Sequence, residues 1–345
     1  MRVTMAEIAR RANVSVITVS RALNNRPDVS EATRAQIWAL AEELHYVPNV
    51  LARALVSGSS RTLGLIVADN TNPYYGRLIR AVEDTARSHG YGVILCNTDE
   101  NPEYEISAHT MLAAKRVDGL LITSIQSGSA PLLSLAREGT PFVLLNRYVD
   151  DIAADCVLND NASGAYEATA HLCRLGHRRI YHLTGPDTIS SVRERLAGYR
   201  QALAEFGVPF DPAGVIRCDL RLEGGCDATW AALTAPSRPT AIFAYSDLLA
   251  VGVLKAAHEV GLRIPQDVAL VGYDDIEFAP FVEPPLTTVA QQAYEIGRRG
   301  TEILLEKIRW PTGQPWQPQR VVYKPQLVIR ASSGPLITIP GHSSP

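Results

Sequence analysis

The 345-residue chain is 46% hydrophobic and 20% charged, an ordinary composition for a globular protein too long for one small core. It holds no run of 18 apolar residues, which excludes a membrane-spanning helix, and Glu7, Arg10 and Arg11 interrupt any apolar signal core at the N-terminus. The formal charge of −3 is uneven: residues 1–61 carry eight arginines against five acidic residues, a net of +3, and the remainder carries −6, so a small basic head that suits a polyanion precedes an acidic body.

Residues 4–12 read as a helix. Thr4 and Glu7 match a capping box, and Ile8, Ala9 and Ala12 form an apolar stripe. Asn13-Val14 ends it, and Ser15 caps a second helix running to about Asn24. A turn at Pro27-Asp28 leads to a third helix capped by Ser30, in which Ile37, Leu40, Ala41 and Leu44 follow helical spacing. Pro48-Asn49 closes this unit. The segment "NVLARALV" (49–56) and the flexible "SGSS" (57–60) form a linker with a helical option, too short to be stable alone in water.

From Leu63 the pattern becomes α/β. A first series of apolar strand-like runs is "LGLIVAD" (63–69), "YGVILCNT" (91–98), "GLLIT" (119–123) and "PFVLLN" (141–146). A second series is "CVLND" (156–160), "RIYHLTG" (179–185), "GVIRCDL" (214–220), "TAIFAYS" (240–246) and "VALVGYDD" (268–275). Continuous apolar strands separated by helices imply parallel sheets covered on both faces. Two series imply two similar lobes, with the carboxyl ends of the strands lining a cleft between them. Neither glycine-rich nucleotide fingerprint is present, so no cofactor is expected. The five cysteines lack metal-ligand or C-x-x-C spacing, which fits buried thiols in a reducing cytoplasm, and no metal is expected.

On a helical wheel, Val19, Ala22 and Leu23 share one side of the second helix. Val16, Ile17, Ser20, Arg21 and Asn24 share the other. Two bulky apolar groups beside an arginine gain nothing from facing water. In a helix-turn-helix unit the second helix enters the DNA major groove, where Val16 and Ile17 suit thymine methyl groups and Arg21 suits a guanine edge. Ser20 and Asn24, with Ser30, Thr33 and Arg34 at the start of the third helix, suit phosphate oxygens, as do Thr4 and Ser15 at the other helix starts.

The stretch "TMAEIARRANVSVITVSRALNNRPDVSEATR" resembles the DNA-binding head of the LacI/GalR family of bacterial transcription regulators. The likeness runs through "LHYVPNVLARAL" and, in order, "LGLIV", "NPYY", "LGHRRI", "RLAGY", "VGYDD" and "PPLTTV". It implies four regions: a three-helix head (1–48), a hinge helix and linker (49–60), a two-lobed periplasmic-binding-protein-like effector and dimerisation domain (61–331), and a tail (332–345) expected to be disordered. It also implies a hinge that folds on operator DNA, with Leu55 as a minor-groove wedge flanked by Leu51 and Ala52, and a homodimer on a pseudo-palindromic site. The tail lacks leucine heptads, so no tetramer-forming coiled coil is expected.

The same resemblance assigns effector contacts to Asn72, Tyr74, Tyr75, Asn146, Arg195, Leu220, Ser246, Asp274 and Gln291. Arginine and aspartate with aromatic faces suit a polyhydroxylated ligand, a sugar or sugar derivative. The chain departs from the family pattern in three places. Ser246 stands where many members carry asparagine, Leu220 where an aromatic often stacks on the ligand, and Asn146 where some relatives have aspartate. The implied function is a ligand-controlled DNA-binding regulator, a repressor of carbohydrate-metabolism genes, cytoplasmic and not an enzyme. A transporter's solute-binding protein would share the two-lobed body but not the basic head. A sugar-active enzyme would need a nucleophile–base pair or metal cluster, for which the sequence offers no candidate.

Overall fold

The computed structural model describes residues 3–46, 58–126, 128–311 and 313–334. The chain divides into two compact units, Met1–Ser60 and Arg61–Pro345. The expected hinge contacts Leu51, Ala52 and Leu55 lie outside the described residues.

The first unit contains α1 (Met5–Ala12), α2 (Val16–Leu23) and α3 (Glu31–Glu43). Ile8, Val19, Ala22 and Ile37 are fully buried, with Ala9, Ala12, Val29 and Ala41 packed around them. Asn13 takes a left-handed φ of 52° and turns the chain from α1 into α2, a conformation asparagine tolerates better than other side-chain-bearing residues. Ser15 caps α2, its hydroxyl accepting the Thr18 amide at 3.1 Å, and Ser30 caps α3 through the Thr33 amide at 3.2 Å. The capping box expected at α1 does not form. Thr4 occupies the N-cap position, but its hydroxyl makes no cap bond. Glu7 is drawn instead to Arg10 at 2.6 Å and Arg11 at 3.3 Å, since cations three and four residues ahead on the helix outcompete the backbone amide for its carboxylate.

The second unit has a two-stranded antiparallel sheet and two parallel ones. One has six parallel strands in the order β11-β5-β4-β3-β1-β2: β1 (Thr62–Val67), β2 (Gly92–Asn97), β3 (Gly119–Ile122), β4 (Phe142–Leu145), β5 (Asp155–Asn159) and β11 (Arg320–Tyr323). The other has four in the order β7-β6-β8-β9: β6 (Ile180–Thr184), β7 (Val215–Arg217), β8 (Ala241–Ala244) and β9 (Ala269–Val271). Every residue of β3, β4, β5 and β8 is buried, as strands covered on both faces require. The covering helices are α4 (Pro73–Ser88), α5 (Pro102–Ala114), α6 (Ala130–Glu138), α7 (Asn161–Arg174), α8 (Ser190–Glu205), α9 (Leu222–Thr234), α10 (Asp247–Glu259) and α11 (Ala293–Ile308).

Two expectations are corrected here. "CVLND" belongs to the first sheet rather than the second series: β5 pairs in parallel with β4 and β11, and the chain changes lobe only after Asn159. The tail does not begin at 332. Ala331–Ser333 forms a 3-10 turn whose serines are buried. Ser332 Oγ donates to the Leu270 carbonyl at 2.7 Å and accepts the Thr287 amide at 2.8 Å, and Ser333 Oγ lies 2.9 Å from His171 Nε2. Residues 335–345 lie outside the described residues.

The chain passes between the lobes three times, after β5, after β10 (Thr288–Ala290) and between β11 and β12 (Gln326–Val328), which pairs antiparallel with β10. The crossings are bonded to one another: the Asp160 amide donates to the Tyr323 carbonyl at 2.9 Å, and the Gln292 amide to Asn159 Oδ1 at 3.4 Å. These three adjacent connections form the hinge between the lobes.

Helices α7 and α8 pack closest where α8 carries Gly198. A Cβ there would lie 2.1 Å from the Ala162 carbonyl oxygen, a backbone atom with no rotamer to yield. Gly198→Ala therefore drives the two helices apart and should destabilise the second unit by about 3 kcal/mol. The expected result is a lower urea midpoint with an unchanged slope; an unchanged midpoint would show that the helices separate without cost.

Candidate functional site

The outward face of α2 has the composition expected of a reading surface. Val16 is 45% and Ile17 64% exposed, whereas Val19 and Ala22 are fully buried behind them. Arg21 is not free: its guanidinium sits 2.8 Å from Asp28. Both side chains are about half exposed, so the pair contributes little and yields readily to another acceptor. Asn24 ends α2, its amide nitrogen donating to the Ser20 carbonyl at 2.7 Å. The Ser15 and Ser30 hydroxyls are occupied as caps, and the Thr33 hydroxyl lies 2.8 Å from that of Ser30. Arg34 donates to the Arg26 carbonyl at 2.7 Å and the Val29 carbonyl at 3.3 Å, fastening the turn between α2 and α3. Sequence reading missed Asp28 as the partner of Arg21, and it missed Trp38, 46% exposed on α3.

In the second unit the cleft between the lobes collects Asn72, Tyr74, Tyr75, Asn146, Arg195, Leu220, Ser246 and Asp274 along one wall or the other. Gln291 stands behind Asp274 and donates to its carboxylate. Several of these side chains also have structural duties. Asn72 Oδ1 caps α4 by accepting the Tyr74 amide at 3.0 Å, and Ser246 Oγ caps α10 by accepting the Leu249 amide at 3.2 Å. Asn146 holds a left-handed φ of 65° at the end of β4, and its Oδ1 is buried without a protein partner. The Tyr74 hydroxyl is likewise buried and unbonded. Two unsatisfied polar atoms at the cleft wall mark places where a ligand hydroxyl would be favoured.

Arg195 is the centre of this arrangement. It is 1% exposed, and its guanidinium lies 3.6 Å from the Tyr273 ring centroid and 4.3 Å from that of Tyr245. Nε donates to Asn161 Oδ1 at 3.0 Å, Nη1 donates to the Tyr245 carbonyl, and Asp274 Oδ1 is 3.9 Å away. Burial pulls its pKa down, but Tyr245, Tyr273 and Asp274 together more than offset that, so it stays charged. Burial pushes Asp274 up to about 7 against the opposing influence of Arg195 and Gln291. Its neighbour Asp247 is raised as well, first by burial and then by Asp274. Asp247 accepts from Thr288 Oγ1 at 2.5 Å and the Ile276 amide at 2.9 Å, which fixes the loop that carries Asp274.

Sequence reading missed an ion pair on the wall opposite Arg195, beside the expected Asn146. Glu100 and Arg147 form a two-pronged pair, Nη1 donating to Oε2 at 2.8 Å and Nη2 to Oε1 at 2.5 Å, with Gln126 Nε2 donating to Oε2 at 2.7 Å. Burial raises the Glu100 pKa, but Arg147 with Gln126 and Arg221 together lower it by more, so the carboxyl stays ionised. Asp69, Arg221 and Tyr245 also line the cleft. "LLNR" places Arg147 beside a predicted residue; nothing local signals its partner 47 residues earlier. The inner cleft is narrow, a cavity of about 20 Å³ with room for about one water. A roomier vestibule of about 390 Å³ adjoins it, walled by Pro186, Ile189, Cys218 and Leu220.

Family models match both units. Residues 4–49 match the model described as bacterial regulatory proteins, lacI family, and residues 60–325 match periplasmic binding proteins and sugar binding domain of LacI family. The ribose operon repressor of Escherichia coli (strain K12) is 37% identical over 331 residues, 96% of this chain and 99% of that protein. Among solved structures, the complex of the transcriptional regulator CelR with cellobiose is 33% identical with a TM-score of 0.72, covering 96% of this chain and 100% of that one. The Lac repressor dimer bound to operator and the anti-inducer ONPF is 29% identical with a TM-score of 0.85, covering 97% and 100%. Among the described residues no helix is long and apolar enough to cross a membrane.

Asp274 makes a pH prediction. Its folded pKa of about 7 lies above the ordinary aspartate value of about 3.9, so the folded chain holds this proton more tightly than the unfolded chain does. The group's contribution is most favourable below pH 4 and is lost as pH rises towards 7, beyond which it is constant. Across urea midpoints measured from pH 5 to 8, the wild type should lose stability relative to Asp274→Asn, most of it below pH 7. Parallel curves would remove Asp274 from the titration.

Proposed function

The chain belongs to the lacI family of bacterial regulatory proteins, and from that premise we propose a repressor of carbohydrate-metabolism genes. It binds a pseudo-palindromic operator as a homodimer, with an affinity set by a sugar or sugar derivative held between the lobes. One observation carries the ligand half of this reading: a buried arginine, a carboxyl group and a glutamine, beside tyrosine faces and unsatisfied polar atoms, converge on a single cleft. Hydroxyl groups can accept from Arg195 and donate to Asp274, while tyrosine rings cover the apolar face of a sugar. The family resemblance supports Asn72, Tyr74, Tyr75, Asn146, Leu220, Ser246 and Gln291 as the remaining contacts. CelR carries cellobiose at TM-score 0.72 to this chain, which favours a saccharide.

In the head, Val16 and Ile17 meet thymine methyl groups, and Arg21 leaves Asp28 for a guanine. Thr4, Ser15, Ser20, Asn24, Ser30, Thr33 and Arg34 lie along the phosphates, some through their backbone amides since their side chains are already engaged. Leu51, Ala52 and Leu55 enter the minor groove, a role that rests on the resemblance alone. The ligand acts through differential affinity for lobe arrangements that suit or oppose DNA binding. A transporter's solute-binding protein is disfavoured by the head that matches regulatory proteins over residues 4–49.

Titration of the full chain onto its own promoter should show sequence-preferring binding that weakens steeply with salt. Absence of any preference over a scrambled fragment would overturn the DNA-binding reading. Arg21→Ala should cost about 1–3 kcal/mol on the cognate fragment and relax base preference. Asp274→Ala should leave DNA binding intact while abolishing the response to sugar; a preserved response would take Asp274 out of the effector site.

A further inference from the structure

The loop after β4 reaches across the cleft to the start of α8. The Tyr148 amide donates to Ser190 Oγ at 3.0 Å, and its phenol donates to Glu194 Oε1 at 3.0 Å. Arg193 also reaches Asp150 at 2.7 Å, but that pair is exposed and contributes little. Tyr148 belongs to the lobe of the six-stranded sheet, whereas Ser190 and Glu194 belong to α8 of the other lobe. The tyrosine ring is backed by Arg320, whose guanidinium carbon lies 4.5 Å from the ring centroid, so the phenol is held where it is.

The second oxygen of the same carboxylate faces inward. Glu194 Oε2 accepts from Asn161 Nδ2 at 2.9 Å, and Asn161 Oδ1 accepts from Arg195 Nε at 3.0 Å. The direction of these bonds is forced. A guanidinium only donates and a carboxylate only accepts, so the amide between them has one orientation that satisfies both. Asn161 is 1% exposed and Arg195 equally so, so bulk solvent competes little for the bond between them.

We infer that Glu194 is a positioning residue that couples effector capture to lobe closure, one oxygen latching the opposite lobe through Tyr148 and the other aligning Arg195 through Asn161. The inference rests on the placement of Arg195 in the effector site. Loss of the Tyr148 hydroxyl breaks the cross-lobe arm alone. Removal of the carboxylate breaks both arms and leaves Asn161 Nδ2 only the longer bond to the Asn159 carbonyl at 3.3 Å, which loosens its alignment of Arg195. A glutamine keeps the network: its carbonyl accepts from Asn161, and its amide donates to the Tyr148 hydroxyl, which can accept.

The test uses the full chain, with two readouts. Hydrogen exchange is followed by mass spectrometry in peptides spanning 146–152 and 186–194, without added sugar. D-ribose and cellobiose are titrated calorimetrically as probes. Tyr148→Phe should speed exchange in both peptides about 5- to 10-fold, the effect of losing one hydrogen bond. Glu194→Ala should do the same and weaken any probe that binds the wild type by a further factor of about ten. Glu194→Gln should restore exchange and binding to within about threefold of wild type, which a merely structural side chain at 194 would not do. Unchanged exchange in both Tyr148→Phe and Glu194→Ala, or a glutamine as damaging as alanine, overturns the latch. If the wild type binds neither probe, the exchange data alone decide the latch, and the effector reading is judged separately by the promoter titration.

Discussion

The second unit is organised around one buried charge. Placing a guanidinium at 1% exposure costs many kcal/mol unless every donor and the charge itself are compensated. Arg195 meets this through two tyrosine faces, a carbonyl, an asparagine and a carboxyl group, delivered by three parts of the chain: Asn161, Tyr245 and the consecutive Tyr273-Asp274. Asp274 is held for that purpose in backbone that would otherwise be avoided, with a φ of 122°. The strain persists because its amide is bonded to the Val289 carbonyl at 2.8 Å and its loop is clamped by Asp247. The residue before that loop's Tyr273 is Gly272, where a Cβ would stand 2.1 Å from Asp247 Oδ1. The groups that line this part of the cleft thus also help to hold it together.

What could be read in advance follows the range of the forces involved. The caps at Ser15 and Ser30, and the division of α2 into a buried and an exposed side, depend on neighbours within four residues, and these were legible. The box at Thr4 was misread because two arginines on the same helix competed for Glu7. Continuous apolar runs announced most strands of both sheets. The sheet to which β5 belongs, and the return of the chain to the first sheet at β11, depend on pairing across more than 160 residues and leave no local trace.

The cleft divides in the same way. Asp274, Arg195 and the two tyrosines at 74 and 75 were found because they sit inside motifs shared with a family. Glu100 and Arg147 escaped because neither residue is conspicuous alone and only the fold brings them together. Asn161 and Glu194 were missed for a different reason. They are polar side chains of ordinary helices whose importance appears only when the bonding requirements of Arg195 are followed outward from atom to atom.

The narrowness of the inner cleft has a kinetic and thermodynamic consequence. Space for about one water cannot receive a sugar ring, so the innermost part of the cleft must widen before a sugar can enter it, whereas the vestibule beside it is already wide. Entry then depends on a more open arrangement, whose population limits how fast the sugar can be captured. Contacts at the cleft mouth that favour the shut form slow the sugar's entry, and those that re-form around it also slow its release, so their effect on the response is the balance of the two. The regulator's threshold becomes a property of the lobes' resting equilibrium, adjustable by substitutions that never touch the sugar.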